Sequence, residues 1–278
     1  MCLEYRIVAT DLDGTLLNTD SKVSPENWDA IRIMTEKGVH VVPSSGRTLY
    51  EIPEYIRENP YVRYVSYSDG ASVYDTLKKE IVVDLTIPQP KANKLFDVLD
   101  EYETDISVRH RGKSYVDADR NTPEFHTYHR MQEGYQQFVY EFDIPIQQFD
   151  QICHSLDSVE MICAYFHSEE ELIACRNRLE KMGDYTVASS WPGNLEIYDK
   201  RAGKGNALLE LAKYLGIDPT QTIAVGDSPN DIDMVTKAGL GLAMGNARQE
   251  LKAIADQTIC TNDEHAMRYI QREIIKVV

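Results

Sequence analysis

At 278 residues, 42% of them hydrophobic and 27% charged, the chain is long enough to bury a sizeable core and fits one large or two modest globular domains. Its 45 acids against 29 bases give a formal charge of −16, which disfavours a broad nucleic-acid or anionic-membrane surface and asks for a local positive site on any anionic substrate. No apolar run approaches the ~20 residues of a membrane span, no signal-like start is visible, and Cys2, Cys153, Cys163, Cys175 and Cys260 are scattered without a C-x-x-C pair, so a cytoplasmic protein with buried, reduced thiols is expected.

The strand-like run Tyr5-Arg6-Ile7-Val8-Ala9 leads into Thr10-Asp11-Leu12-Asp13-Gly14-Thr15-Leu16-Leu17. In extended chain Asp11 and Asp13 point to one side and Leu12 to the other, and Gly14 permits a tight turn beside them. Two carboxylates so close need a cation, a shared proton or distinct roles, although Asp and Gly also populate ordinary turns. Ser24 and Pro25 then start a helix that Gly38 stops, and residues 39–43 form a second strand that delivers Ser44-Ser45-Gly46-Arg47. Strand, helix, strand predicts a parallel unit with both strand ends side by side. Strands over 61–66 and 71–75 flank the turn Tyr67-Ser68-Asp69-Gly70.

Between residues 84 and 190 the pattern changes to an α+β insert with an antiparallel sheet. It reads as a helix over 91–103, a hairpin around Arg111-Gly112, one helix over 122–139, a strand over 159–167, a helix over 169–182 and a strand over 185–188. Pro88-Gln89-Pro90 and Trp191-Pro192-Gly193 read as its hinges, so the core is expected over 1–83 and 191–278. That second core part holds a strand over 194–198, a helix over 205–215 and an apolar strand over 222–225. The last of these delivers Gly226-Asp227-Ser228-Pro229-Asn230-Asp231, and two helices and two short strands follow before the segment 263–276.

Several strand ends thus bring chemistry together: carboxylates from Asp11, Asp13, Asp227 and Asp231, a hydroxyl from Ser45 and a cation from Lys204. An all-oxygen donor set suits Mg2+ and lacks the His and Cys of a zinc site. Metal, lysine, hydroxyl and loop N–H groups together suit a phosphoryl group, with Asp11 placed to attack phosphorus and Asp13 to exchange protons. Gly203-Lys204-Gly205-Asn206 is no Walker A loop, and 227–233 is no EF-hand, because Pro229 and Ile232 break its pattern.

With these motifs in order, the sequence resembles the haloacid dehalogenase superfamily and, within it, the Cof-type phosphatases with a large cap. The resemblance rests on Asp11-Leu12-Asp13-Gly14-Thr15, Ser44-Ser45-Gly46-Arg47, Leu195-Glu196-Ile197 with Lys204-Gly205, and 226–234; Ala243-Met244-Gly245-Asn246-Ala247 and Thr261-Asn262-Asp263-Glu264 match its tail. It implies a Rossmann-like three-layer α/β core with a parallel sheet plus the inserted cap. It also implies Asp11 as nucleophile, Asp13 as acid/base and, through its carbonyl, a metal ligand, and Lys204 as partner of nucleophile and phosphate. Gly14, Ser45, Gly46, Arg47 and Asn230 fall at the phosphate site, and Asp227 and Asp231 at the Mg2+. Two positions depart from the family pattern: Asp69 precedes Gly70 where Asn is common, and His265 stands where Gly is common.

The expected activity is Mg2+-dependent hydrolysis of a small phosphorylated metabolite, a sugar phosphate or phosphorylated cofactor. A sugar phosphomutase using the same aspartyl phosphate is the enzymatic alternative, and a phospho-accepting signalling or non-catalytic binding protein the remote one. Arg47 reads equally as a substrate contact or a partner for core acids. His126 and His129 share a polar cap face rather than a metal, and Arg109, Arg111, Lys113 and Tyr115 read as a solvated hairpin that is a weaker candidate for a second anion contact.

Overall fold

The computed structural model describes residues 4–277, so the expectation for Cys2 lies outside the described residues. In chain order the first strands are β1 (Ile7–Thr10), β2 (His40–Pro43), β3 (Tyr64–Tyr67), β4 (Ser72–Asp75) and β5 (Glu80–Asp84). Next come β6 (Ile87–Pro88), β7 (Thr104–His110), β8 (Lys113–Asp117), β9 (Ile144–Ile146), β10 (Ser158–Val159), β11 (Met161–Phe166), β12 (Tyr185–Ala188) and β13 (Asn194–Asp199). The last three are β14 (Thr222–Gly226), β15 (Leu240–Ala243) and β16 (Gln257–Thr258). The chain divides into two units, one formed by residues up to 47, 52–84 and 203 onward, the other by residues 48–51 and 85–202.

The first unit is a Rossmann-like α/β core whose five-stranded sheet has the order β16-β15-β14-β1-β2, every pair parallel. All four residues of β1 and all five of β14 are buried, as apolar strands flanked on both sides within a parallel sheet must be. β1 pairs with β2 on one side and β14 on the other, in registers Ile7↔His40 and Ile7↔Thr222, so the carboxyl ends of three strands open onto one edge. A bridge between Ser44 and Ser66 continues that order toward the antiparallel sheet β3-β4-β5. The helix Pro25–Glu36 starts where expected, Ser24 Oγ accepting the Asn27 N–H at 3.2 Å.

The second unit carries the six-stranded sheet β12-β13-β11-β7-β8-β9, antiparallel except for the last pair, and the two-stranded ribbon β10-β6. Val108, Ile162, Ala164, Leu195 and Ile197 alternate onto one sheet face and pack with Leu95, Phe96, Cys175 and Leu179 from the helices Gln89–Leu99 and Glu169–Met182.

Residues 191–202, expected in the core, belong to this second unit: Ile197 of β13 pairs with Ile162 and Val187. Trp191-Pro192-Gly193 is the turn into β13, not a boundary, held by Asn194 Oδ1 accepting from Trp191 N and Ser189 Oγ at 3.1 Å each. The helix expected over 122–139 is two, Pro123–Tyr128 and Glu133–Phe142, because Arg130 turns left-handed (φ 65°) and closes the first without a glycine to announce it. β9, which contains Pro145, lies at a sheet edge where a missing N–H is tolerated. Among the described residues no helix is long and apolar enough to cross a membrane.

Candidate active site

Asp11 follows β1 directly and its N–H bonds Val225 O at 3.0 Å, which fixes it against the end of β14. Asp227 follows β14, and Ser45 lies just beyond β2. The chain must turn at once after Asp11: Leu16 N bonds Asp11 O at 3.2 Å and Leu17 N bonds Leu12 O at 2.8 Å. Gly14 is left-handed there (φ 76°), and a Cβ on it would lie 2.7 Å from Asp227 Oδ2. No larger residue fits without moving that carboxylate.

Lys204 opens the helix Lys204–Leu215 and is 1% exposed. Its Nζ donates to Asp11 Oδ1 and to Asp231 Oδ1, both at 2.7 Å. Asp231, itself fully buried, uses its other oxygen to accept the Asp227 and Ser228 N–H groups at 3.0 Å each. Asp227 accepts from Ser228 Oγ at 3.1 Å and Thr15 Oγ1 at 3.3 Å.

One ligand atom from each of Asp11, Asp227 and Asp231 lies within 4.8 Å of the others, the one such group among the described residues. Burial pushes the Asp11 carboxyl well above the usual carboxylate range; the Asp231 charge adds to this, Lys204 opposes it and Asp227 adds further. Burial and the Asp231 charge likewise raise Asp227. For Lys204 burial pulls downward, but the charges of Asp11, Asp231 and Asp69 outweigh it and hold the ammonium above its ordinary range. One lysine therefore compensates several carboxylates, and an oxygen-only donor set with residual repulsion fits a hard divalent cation.

Asp13 is separated from this cluster by its partner: Arg47 Nε and Nη2 donate to its two oxygens at 3.0 and 2.8 Å. Arg47 is thus paired with an acid, but with an exposed one and not with an acid of the core. Ser45 is 2% exposed and its Oγ accepts the Arg47 N–H at 3.2 Å, and its carbonyl accepts the Asp69 N–H at 3.1 Å. Asn230 Nδ2 donates to Asp69 Oδ1 at 3.3 Å, and a Cβ on Gly46 would lie 3.2 Å from the same carboxylate.

The two departures from the family pattern both occupy left-handed backbone, Asp69 at φ 48° and His265 at φ 65°. Aspartate tolerates that region nearly as well as asparagine, so the turn survives with an added charge. His265 accepts the strain, and its Nδ1 shares a 2.9 Å hydrogen bond with Ser24 Oγ. Sequence reasoning gives no role to Thr15, Ser228 or the asparagines of the tail motifs: Asn246 Nδ2 donates to Gly14 O at 2.8 Å and Asn262 Nδ2 to Leu17 O at 3.0 Å, holding the Asp11 loop at both ends.

The hairpin does not form a basic patch. Strand alternation sends Tyr115 into the apolar core while Arg109 is buried elsewhere, Arg111 pairs with Asp157 at 2.8 Å, and Lys113 Nζ lies 5.4 Å from the Tyr50 ring centre. His126 is held by Asp105 at 2.5 Å and Asn121 at 2.8 Å. Cys153, Cys163 and Cys175 are buried free thiols, and Cys260 is partly exposed.

A family model described as haloacid dehalogenase-like hydrolase matches residues 8–270. The Bacillus subtilis phosphatase YwpJ is 31% identical, with 97% of this chain and 100% of that protein covered. A second Bacillus subtilis protein, the 5-amino-6-(5-phospho-D-ribitylamino)uracil phosphatase YcsE, is 29% identical over 94% of this chain and 92% of its own. Among solved structures, a haloacid dehalogenase-like hydrolase from B. subtilis superposes with a TM-score of 0.77 at 31% identity, over 97% of this chain and 99% of that one.

Proposed function

The chain belongs to the haloacid dehalogenase-like hydrolases and is a phosphatase, and from that premise we propose that it is a Cof-type enzyme that hydrolyses a small phosphomonoester through an aspartyl phosphate on Asp11. The observation that carries this reading is Lys204, buried and bonded at 2.7 Å to both Asp11 and Asp231, with Asp227 completing the acidic cluster. The expected substrate class, a sugar phosphate or a phosphorylated cofactor, is supported by relatives named as phosphatases, one of them acting on a phosphorylated ribityl compound.

Asp11, Asp227, Asp231 and the Asp13 carbonyl are the groups that would hold Mg2+, which when bound neutralises charge on the phosphoryl oxygens. Lys204 engages one oxygen of Asp11 and leaves Oδ2 to attack phosphorus. As the Asp11–phosphorus bond forms, the ester P–O bond breaks and the leaving alkoxide takes a proton from Asp13. Asp13 then accepts a proton from the water that attacks the acyl phosphate, releasing inorganic phosphate and restoring the Asp11 carboxylate. For this Asp13 must leave the Arg47 fork and turn to the ester oxygen. Ser45 Oγ, loop N–H groups and the Asn230 amide serve the phosphoryl oxygens.

The test is single-turnover kinetics with trapping of the phosphoenzyme and mass spectrometry. Phosphate on Asp11, and no turnover by Asp11→Asn, is the expected result. Phosphate on Ser45 or on no residue, or full turnover by Asp11→Asn without deamidation, overturns the mechanism. A requirement for a sugar bisphosphate would instead assign a phosphomutase.

A further inference from the structure

Asp69 is only 7% exposed, yet among the described residues its carboxylate has no ion-pair partner: its one side-chain hydrogen bond is accepted from Asn230 Nδ2 at 3.3 Å. A buried carboxylate held by a single long amide bond is unfavourable in a folded chain. The turn it sits in does not require the charge, because backbone groups tie that turn down. Asp69 N–H bonds Ser45 O at 3.1 Å, Ser68 N–H bonds Arg47 O at 2.8 Å, and Gly70 N–H closes back on Tyr67 O at 3.1 Å. The left-handed backbone at Asp69 (φ 48°) is met as well by asparagine. Fold alone thus gives no reason for a charge at this position.

The carboxylate lies where the loops of the active site meet. A Cβ on Gly46 would lie 3.2 Å from both its oxygens, and a Cβ on Gly70 would lie 2.3 Å from Gly203 O, so the turn is packed between the loop after β2 and the residue before Lys204. Burial works against the Lys204 charge, and Asp11, Asp231 and then Asp69 support it. The first two are bonded to its Nζ at 2.7 Å, whereas Asp69 acts from a distance and is not neutralised by it. Ser45, Gly46, Asn230 and Lys204, all assigned above to the phosphoryl group, therefore have the Asp69 side chain or its turn against them. A phosphate dianion held by these groups feels a fixed like charge in a site poor in water, where salt screens repulsion weakly.

We infer that Asp69 sets how tightly the site retains phosphate: its charge opposes the dianion and hastens release of the inorganic phosphate product. This rests on the phosphomonoesterase reading of the site. The repulsion acts on bound ester and bound product alike, so it raises KM and the inhibition constant of phosphate together and adds nothing to the chemical step. Its benefit is kinetic, because release of product limits turnover in many enzymes.

Asp69→Asn tests this, since it removes the charge, keeps an acceptor for Asn230 and tolerates the left-handed backbone. The full chain is titrated calorimetrically with inorganic phosphate at saturating Mg2+, and phosphate is assayed as a competitive inhibitor against an activated aryl phosphate. The variant should bind phosphate at least about threefold more tightly by both measurements, with KM lowered by a similar factor and kcat no higher than the parent's. Thermal unfolding confirms that it is folded. Asp29→Asn, which takes one exposed charge from elsewhere on the core, leaves both constants unchanged. Equal or weaker phosphate binding by Asp69→Asn overturns the proposal. So does a fall in kcat with both constants unchanged, which would assign Asp69 to orienting the Asn230 amide alone. No saturable phosphate binding by either parent or variant would overturn the assignment of this site to phosphate and the proposal with it, whereas equal binding by both overturns the proposal only.

Discussion

Asp231 holds Lys204 through one oxygen and the backbone of Asp227 and Ser228 through the other, so the buried ammonium is tied to the loop that follows β14 as firmly as to Asp11. Lysine and aspartate here fix one another's position, and the capped turn at residues 228–231 serves as their anchor.

Removing the cation should therefore cost both stability and activity. Lys204→Met leaves Asp11 and Asp231 buried without their charge partner, and breaking a buried pair from one side costs about 3–5 kcal/mol. Urea unfolding should show that loss. Phosphatase activity should disappear in the same variant, and saturating Mg2+ should restore part of the stability but none of the turnover.

Arg47 controls where Asp13 points. Arg47→Gln removes the bidentate hold at 2.8 and 3.0 Å, so Asp13 samples more orientations. Turnover of an unactivated alkyl phosphate should fall by about tenfold, while an activated aryl phosphate, whose leaving group needs no proton, changes less. Comparison of kcat for the two esters is the measurement, and equal losses would assign Arg47 to phosphate binding instead.

Stability should fall between weakly acidic and neutral pH because of Asp143. Burial, with Glu51 nearby, pushes its carboxyl up to about 7 despite the Ser114 hydroxyl and the Arg109 charge. An acid whose folded value lies above its unfolded value near 4 binds its proton more tightly when folded. Its contribution is therefore complete below about pH 4 and lost as pH rises through about 7. Asp143 keeps some solvent contact, which limits the effect to on the order of 1–2 kcal/mol. Asp143→Asn should be more stable than the parent in urea at about pH 8 and lose that advantage at about pH 5.

His265 offers a test of strain against hydrogen bonding. Its left-handed backbone costs about 1–2 kcal/mol, and its bond to Ser24 returns about 1 kcal/mol. His265→Gly relieves the strain while losing the bond and should fall within about 1 kcal/mol of the parent. His265→Ala keeps the strain, loses the bond and should be the least stable of the three by chemical denaturation.

The parallel core and the convergence of Asp11, Lys204, Asp227 and Asp231 were legible in sequence because each lies next to an apolar strand or a helix start, where local pattern determines position. The role of residues 191–202 was not, because Trp191-Pro192-Gly193 carries the same turn chemistry whether it ends a domain or enters β13; pairing with β11 and β12 is a long-range fact. The two-helix form of 122–139 was hidden for a similar reason: Arg130 takes a left-handed turn without a glycine. Asn246 and Asn262 reach the Asp11 loop from the other end of the sequence, so neither spacing nor propensity exposes their contacts.

The passage of the chain between its units at 47/48, 51/52, 84/85 and 202/203 bears on the order in which a newly made protein assembles. Everything the second unit contains has been synthesised by residue 202, including the strap whose Tyr50 N–H bonds Gly112 O. β1 is made before the second unit, yet its partner β14 follows only after it, and pairing so distant in sequence is slow to close. Lys204, Asp227 and Asp231 emerge in that same late stretch. A nascent chain thus carries Asp11 through the synthesis of the whole second unit with no functional centre around it, and chemistry becomes available only once the stretch from Lys204 to Asp231 has left the ribosome.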